Sequence, residues 1–398
     1  MRTIGTQVRG IRCPIFRPGD DLAERVIDAL LTSCKQANYQ LNDRDVLGIT
    51  ESAVARTQGN FITADQIAKD VRSKFPSGEI GVTFPILSRN RFAVILQAIA
   101  RGVDKVHLLF SYPADEVGNH LMDPEVLDRT TVNPYTDVLD EKRYRELFGA
   151  KVLHPFTGID YVDLYKEIVG ADKAEIHFAN DVCAILPFSR QVLTADIHSR
   201  ARSKRRLQAA GAEIVLGLDD LCTTPVEPGA GYNADYGLLG SNKSDDEEVK
   251  LFPRDCQTLV ERIQARLLEL TGKRVEVMVY GDGAFKDPVG KIWELADPVV
   301  SPGFTAGLRG TPHEVKLKYL ADEMQKKTKD DAVVNATIQE RLRDKKNTGQ
   351  VGEEESLGTT PRQLTDLLGS LCDLTSGSGD KGTPVVLIQG YFDCLADD

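Results

Sequence analysis

The sequence predicts an α+β protein of mixed sheets with flanking helices, and three features carry that reading. Short apolar runs rich in β-branched residues recur, VLGI from Val46, VHLLF from Val106, VEVMV from Val275 and VVLIQ from Val385, bounded by glycine or turn residues. Amphipathic segments at helical spacing lie between them. At 398 residues, with 41% hydrophobic and 27% charged, the chain is long enough for two or three domains with cores of their own.

The chain opens on an extended segment, turns at Pro18 and Gly19, and enters a helix that Asp20 or Asp21 is placed to cap. Leu22, Val26, Ile27, Leu30 and Leu31 give that helix an apolar stripe. VLGI is a buried strand, with Thr50, Glu51 and Ser52 crowding its end. Strands follow at VHLLF, EIHFA and AEIVLGL, separated by polar, turn-rich stretches, and Arg89 and Arg91 precede an amphipathic helix from Phe92 to Arg101. A helix in DCQTLVERIQARLLELTGKR leads into the VEVMV strand. Beyond Pro312 a charged segment reads as exposed helices or an arm, with few periodic apolar residues. The end comprises a helix in TPRQLTDLLGSLCDL, the glycine-rich SGSGDKGTP loop and the VVLIQ strand.

A net charge of −11 argues against a nucleic-acid partner, because a phosphate backbone rewards clustered Lys and Arg and repels an acidic surface. A small ligand is expected instead. The seven cysteines form no CxxC pair, and neither a signal peptide nor a long apolar stretch is found, so a cytoplasmic protein with reduced thiols, no membrane segment and no structural zinc is expected. The six histidines are dispersed and no HExxH pattern occurs, which speaks against a histidine metal centre.

Chemistry concentrates at strand ends. Asp282 stands between Gly281 and Gly283 after VEVMV, where bare backbone admits a ligand, and Lys286 and Asp287 follow closely. A carboxylate beside a lysine suits a metal-bound phosphate; an ordinary tight turn would use the same residues. Glu51, Ser52 and Arg56 can hold a nucleotide's phosphates or ribose, or merely cap and solvate a helix. Asn242 sits among small residues with a donor and an acceptor to offer. Asp380 and Lys381 repeat the combination at Asp282 and Lys286. Arg89, with Arg200 and Arg202 in the basic run DIHSRARSKRR, can bind an anionic substrate; a solvated helix face is the plainer reading.

Five blocks in order, CPIFRPGDDLAE, RDVLGITESAVARTQG, GLLGSN, LELTGKRVEVMVYGDG and SGSGDKGTPVVLIQG, resemble the coenzyme F-420 gamma-glutamyl ligases. The resemblance covers about 1–74, about 231–303 and the last thirty-odd residues. It implies a GTP-dependent ligase that adds L-glutamate through an amide bond to a small coenzyme-like acceptor, F-420-0 or folate-like, with Mg or Mn bound and a homodimeric assembly. The implied nucleotide contacts fall on Cys13, Pro14, Ile15, Phe16, Glu51, Ser52, Arg56 and Asn242, and on Ser378, Gly379 and Asp380 in the last loop. The implied metal ligand at the strand end is Asp282. Lys286 and Asp287 are the catalytic candidates beside it.

Two positions depart from the family pattern. Leu239 stands where a second metal-binding aspartate is expected, and Ser378 where an acidic residue is expected; Asp235 and Asp380 are nearby substitutes. The resulting expectation is a ligase-like unit built from 1–80 and 231–398, with 81–230 as an inserted or elaborated α/β lobe. A nucleotide- or metabolite-binding regulator on the same scaffold is the alternative, which loss of two acidic positions would permit.

Overall fold

The computed structural model describes residues 3–286, 293–312, 315–328, 330–343, 362–376, 380–394 and 396. The first elements are β1 (Gln7–Ile11), α1 (Leu22–Gln36), β2 (Val46–Thr50), α2 (Glu51–Thr57), β3 (Phe61–Thr63) and α3 (Ala64–Lys74). Next come β4 (Glu79–Thr83), α4 (Phe92–Gly102), β5 (Lys105–Phe110), α5 (Pro124–Leu127), β6 (Leu139–Asp140), α6 (Glu141–Phe148), α7 (Tyr161–Val169), β7 (Ala174–Phe178), β8 (Gln191–Thr194), α8 (Arg200–Ala209) and β9 (Ile214–Gly217). The chain continues through β10 (Asn242–Lys243), β11 (Glu248–Lys250), α9 (Cys256–Thr271), β12 (Glu276–Tyr280), β13 (Phe285–Lys286), β14 (Trp293–Glu294) and β15 (Gly303–Phe304). It ends with α10 (Leu317–Lys327), α11 (Asp331–Arg343), α12 (Leu364–Ser376) and β16 (Val385–Gln389).

One sheet has the order β1-β16-β2-β12-β15, with β2 and β12 parallel and the other pairs antiparallel. Its strands are apolar on both faces because both faces are covered. Leu47, Ile49, Val277, Val279 and Leu387 pack with α1 and α9, while Val46, Met278, Val386 and Ile388 pack with α12 on the other side. Gly48 faces α12, where a Cβ would overlap the Cys372 sulfur, so the helix seats directly on the strand. Asp21 caps α1 as expected, accepting the Glu24 N–H at 3.3 Å.

The second sheet runs β6-β7-β5-β4-β8-β9, parallel except at β6. Its strand order turns back at β4, the point at which a crevice opens at the carboxyl end of a doubly wound sheet. α3, α4 and α7 cover one face; α8 and the short turn Val182–Ile185 cover the other. Strands β4 and β8 went unread in the sequence: EIGVT is broken by a glycine and QVLT is only four residues long. Among the described residues no helix is long and apolar enough to cross a membrane, and no disulfide joins the cysteines.

Candidate active site

Parallel pairing sets Thr50 of β2 opposite Tyr280 of β12, so the loops that follow, carrying Glu51 and Ser52 on one side and Gly281 and Asp282 on the other, emerge at the same sheet edge. The loop 86–91 after β4 and the β10 strand face them. Between them lies a cavity of about 740 Å³, outside the carboxyl ends of parallel strands from both sheets.

Arg91 closes one wall. Its largely buried guanidinium forks onto two carboxylates, Nη1 to Asp297 Oδ1 and Nη2 to Asp282 Oδ2, each at 2.7 Å. Burial opposes its charge, yet Asp297 and Asp282 hold it protonated above its ordinary value. Asp297, only 2% exposed, also accepts the Asp282 backbone N–H at 2.8 Å. Gly281 permits that approach, because a Cβ there would overlap the Asp297 carboxylate.

Across the cavity Lys250, at the end of β11, donates to both Glu51 oxygens at 2.9 and 3.1 Å, with both side chains buried. Burial raises the Glu51 carboxyl against the pull of Lys250. Asp373 on α12 accepts the Gly283 N–H at 2.9 Å and Ser370 Oγ accepts the Ala284 N–H at 3.0 Å, so α12 fixes the loop after β12. Burial, reinforced by Asp297, lifts Asp373 above its ordinary value. Buried Asp115 binds the backbone N–H groups of Leu87, Val117 and Asn119 at 2.8, 3.1 and 2.8 Å, joining the loops after β4 and β5; burial pushes it up to about 6.

The expected residues divide between this cavity and other places. Glu51, Ser52, Arg56, Arg89, Asn242 and Asp282 all line it, with Arg56 and Arg89 exposed. Pro14 lines a second cavity, of about 780 Å³, with Lys381. Cys13 donates its N–H to the Gly382 carbonyl at 3.2 Å, and burial pushes its thiol up to about 11; Ile15 is exposed and Phe16 packs into the α1–α9 core. The two cavities flank one end of α12, where Thr375 lines the second and Ser376 the first. Asp235 and Asp380 are exposed and line neither cavity. Lys286 lies in β13; Asp287, Ser378 and Gly379 lie outside the described residues.

Arg200 and Arg202 line neither cavity. Arg200 is paired with Asp219 at 2.8 Å, Lys204 binds Asp219 and Asp220 at 2.7 and 2.6 Å, and Arg202 is exposed, so the protein's own acidic residues compensate much of the basic run. Leu239 is 1% exposed within an apolar core.

Sequence reasoning missed Lys250, Asp297 and Asp373. A lysine amid the apolar run VKLF was the one available signal; the two aspartates sit in ordinary turn and helix contexts. The acidic wall groups, Glu51, Asp282, Asp297 and Asp373, are oxygen donors of the kind that suit magnesium or manganese. Among the described residues no three of them approach one another as a preformed ligand set, and Arg91 and Lys250 already engage three of the four. One or two carboxylates completed by phosphate oxygens is the arrangement this wall fits.

No curated protein sequence matches the chain. The family model described as F420-0:Gamma-glutamyl ligase matches residues 10–390, running through 81–230 as well as through the blocks at either end. A cavity assembled by those end blocks together with the loop after β4 and a match over nearly the whole chain lead to one conclusion: the protein belongs to the F420-0:gamma-glutamyl ligase family.

Proposed function

We propose that the 740 Å³ cavity binds GTP and a coenzyme-like acceptor, F-420-0 or folate-like, and joins L-glutamate to the acceptor through a gamma-glutamyl amide bond. The observation that carries the proposal is the convergence of Glu51, Ser52, Arg56, Asn242 and Asp282 on one cavity from three separate stretches of chain. Amide formation at neutral pH requires an activated carboxylate. An oxygen of the acceptor carboxylate attacks the γ-phosphorus, GDP leaves, and the amine of glutamate then displaces phosphate from the acyl phosphate.

Arg56 and Arg89 stand where phosphate and acceptor charges would be received, and Asn242 can bond ribose or phosphate oxygen. A divalent ion held by Asp282 together with phosphate oxygens would supply charge neutralisation. Arg91 holds Asp297 on one side and Asp282 on the other, and so positions the carboxylate that would meet the ion. Asp373, with its raised carboxyl, is the wall group suited to take the amine proton.

Calorimetry with the purified chain tests the nucleotide site. GTP should bind in the presence of magnesium, more tightly than ATP, and Arg56→Ala and Asn242→Ala should each weaken GTP by about tenfold, or about 1.4 kcal/mol. No GTP binding, or equal affinity in the parent and both variants, would remove the assignment.

A further inference from the structure

Away from this cavity, on the sheet face covered by α8 and the Val182–Ile185 turn, two histidines absent from any expected chemistry come together. Parallel β5 and β7 place His107 opposite Glu175 and Leu109 opposite His177, so both imidazoles and the Glu175 carboxylate project from the same face. Both imidazoles are buried, at 2% and 7% exposure, and His107 Nδ1 and His177 Nε2 have no hydrogen-bond partner. Both atoms turn towards Glu175 Oε2, from which they lie 3.1 and 3.9 Å away, the shorter separation being out of line for a hydrogen bond.

The surroundings fix these atoms in place. His107 Nε2 is 2.8 Å from Glu79 Oε1, a contact that orients the ring and turns Nδ1 towards Glu175 Oε2. An imidazole nitrogen and a carboxylate oxygen at this distance, out of line for a hydrogen bond, suit a cation held between them. Lys105 holds the other Glu175 oxygen, Oε1, at 2.7 Å and so leaves Oε2 to the imidazoles. Phe188 stacks on His177 with ring centroids 3.8 Å apart and restricts the ring's rotation.

We propose that His107 Nδ1, His177 Nε2 and Glu175 Oε2 form a binding site for a divalent transition-metal ion of the zinc class, separate from the ligase cavity and independent of the function proposed for it. The three ligand atoms lie within 4.8 Å of one another. Tetrahedral zinc with bonds of about 2.0–2.2 Å requires ligand separations of about 3.3–3.6 Å, close to the 3.1 and 3.9 Å that separate Glu175 Oε2 from the two imidazole nitrogens. Imidazole and carboxylate are a donor set for zinc and its first-row neighbours rather than for magnesium. Glu79 is then a positioning residue, the carboxylate that orients a metal-bound histidine. The Glu175 side chain is 45% exposed, so a water on its open side would take the fourth position.

The full chain, stripped with chelator, is titrated with Zn²⁺ by calorimetry and with Co²⁺ by visible absorption. The expected result is one saturable site with the intense d–d bands of tetrahedral cobalt. Glu175→Gln, at a half-exposed position that tolerates the change, should abolish those bands, and Glu79→Gln should weaken Zn²⁺ by about 10–100-fold. Asp282→Asn should leave both readouts unchanged. Cobalt spectra matching the free aqua ion in the parent, or equal Zn²⁺ affinities in the parent and Glu175→Gln, would overturn the site.

Discussion

Arg91 sets the charge balance on one wall of the 740 Å³ cavity, because it is the shared partner of two carboxylates that otherwise repel each other. Asp297 is 2% exposed and Asp282 partly buried, and Arg91 holds both. Removing one member of a buried, hydrogen-bonded ion pair leaves its partner's charge uncompensated, at a typical cost of about 3–5 kcal/mol. Arg91→Met should therefore destabilise the protein by about 3–5 kcal/mol in denaturant titrations, and adding Asp297→Asn should restore part of the loss. A change below about 1 kcal/mol would mean that the fork contributes little. Of the residues involved, Asp282 was legible in the sequence from its flanking glycines and Arg91 was visible as one of two arginines before a helix. Asp297 was not, because its role depends wholly on Gly281 coming within van der Waals reach across a loop.

Among the elements, α12 links the fold to the site. It seats on β2 at Gly48 and on its far side supplies Asp373 and Ser370 to the backbone of Gly283 and Ala284. Gly48→Ala introduces a methyl group where the Cys372 sulfur already lies, so helix and strand must separate. A loss of about 1–3 kcal/mol is expected for such overpacking, together with weaker ligase activity at temperatures where the variant remains folded. Parent-like stability and activity would show that α12 can shift without disturbing the loop. The helix itself was readable from its amphipathic spacing, as were α1, α4 and α9. Which face it covers was not, since nothing in TPRQLTDLLGSLCDL specifies Gly48 as its seat.

For the whole molecule, the parallel pairing of β2 with β12 and the turn-back of strand order at β4 bring residues 51, 91, 242, 282 and 373 to one cavity. The end of β4, which leads to Arg91, went unread, while those of β2 and β12 were recognisable as strand ends. Their convergence was not, because parallel strands pair across long crossovers that leave no local signature. The same holds for His107 and His177, dispersed in sequence and adjacent only through the register of β5 and β7. The most direct test of the proposed ligase is phosphate release from GTP by the purified chain, measured with and without L-glutamate and F-420-0. The expected result is release that requires both, one phosphate per amide bond formed, and that falls by at least about 100-fold in Asp282→Asn, the equivalent of about 2.7 kcal/mol in the barrier. GTP binding with no glutamate-dependent phosphate release would contradict it and identify the cavity as that of a nucleotide-binding regulator.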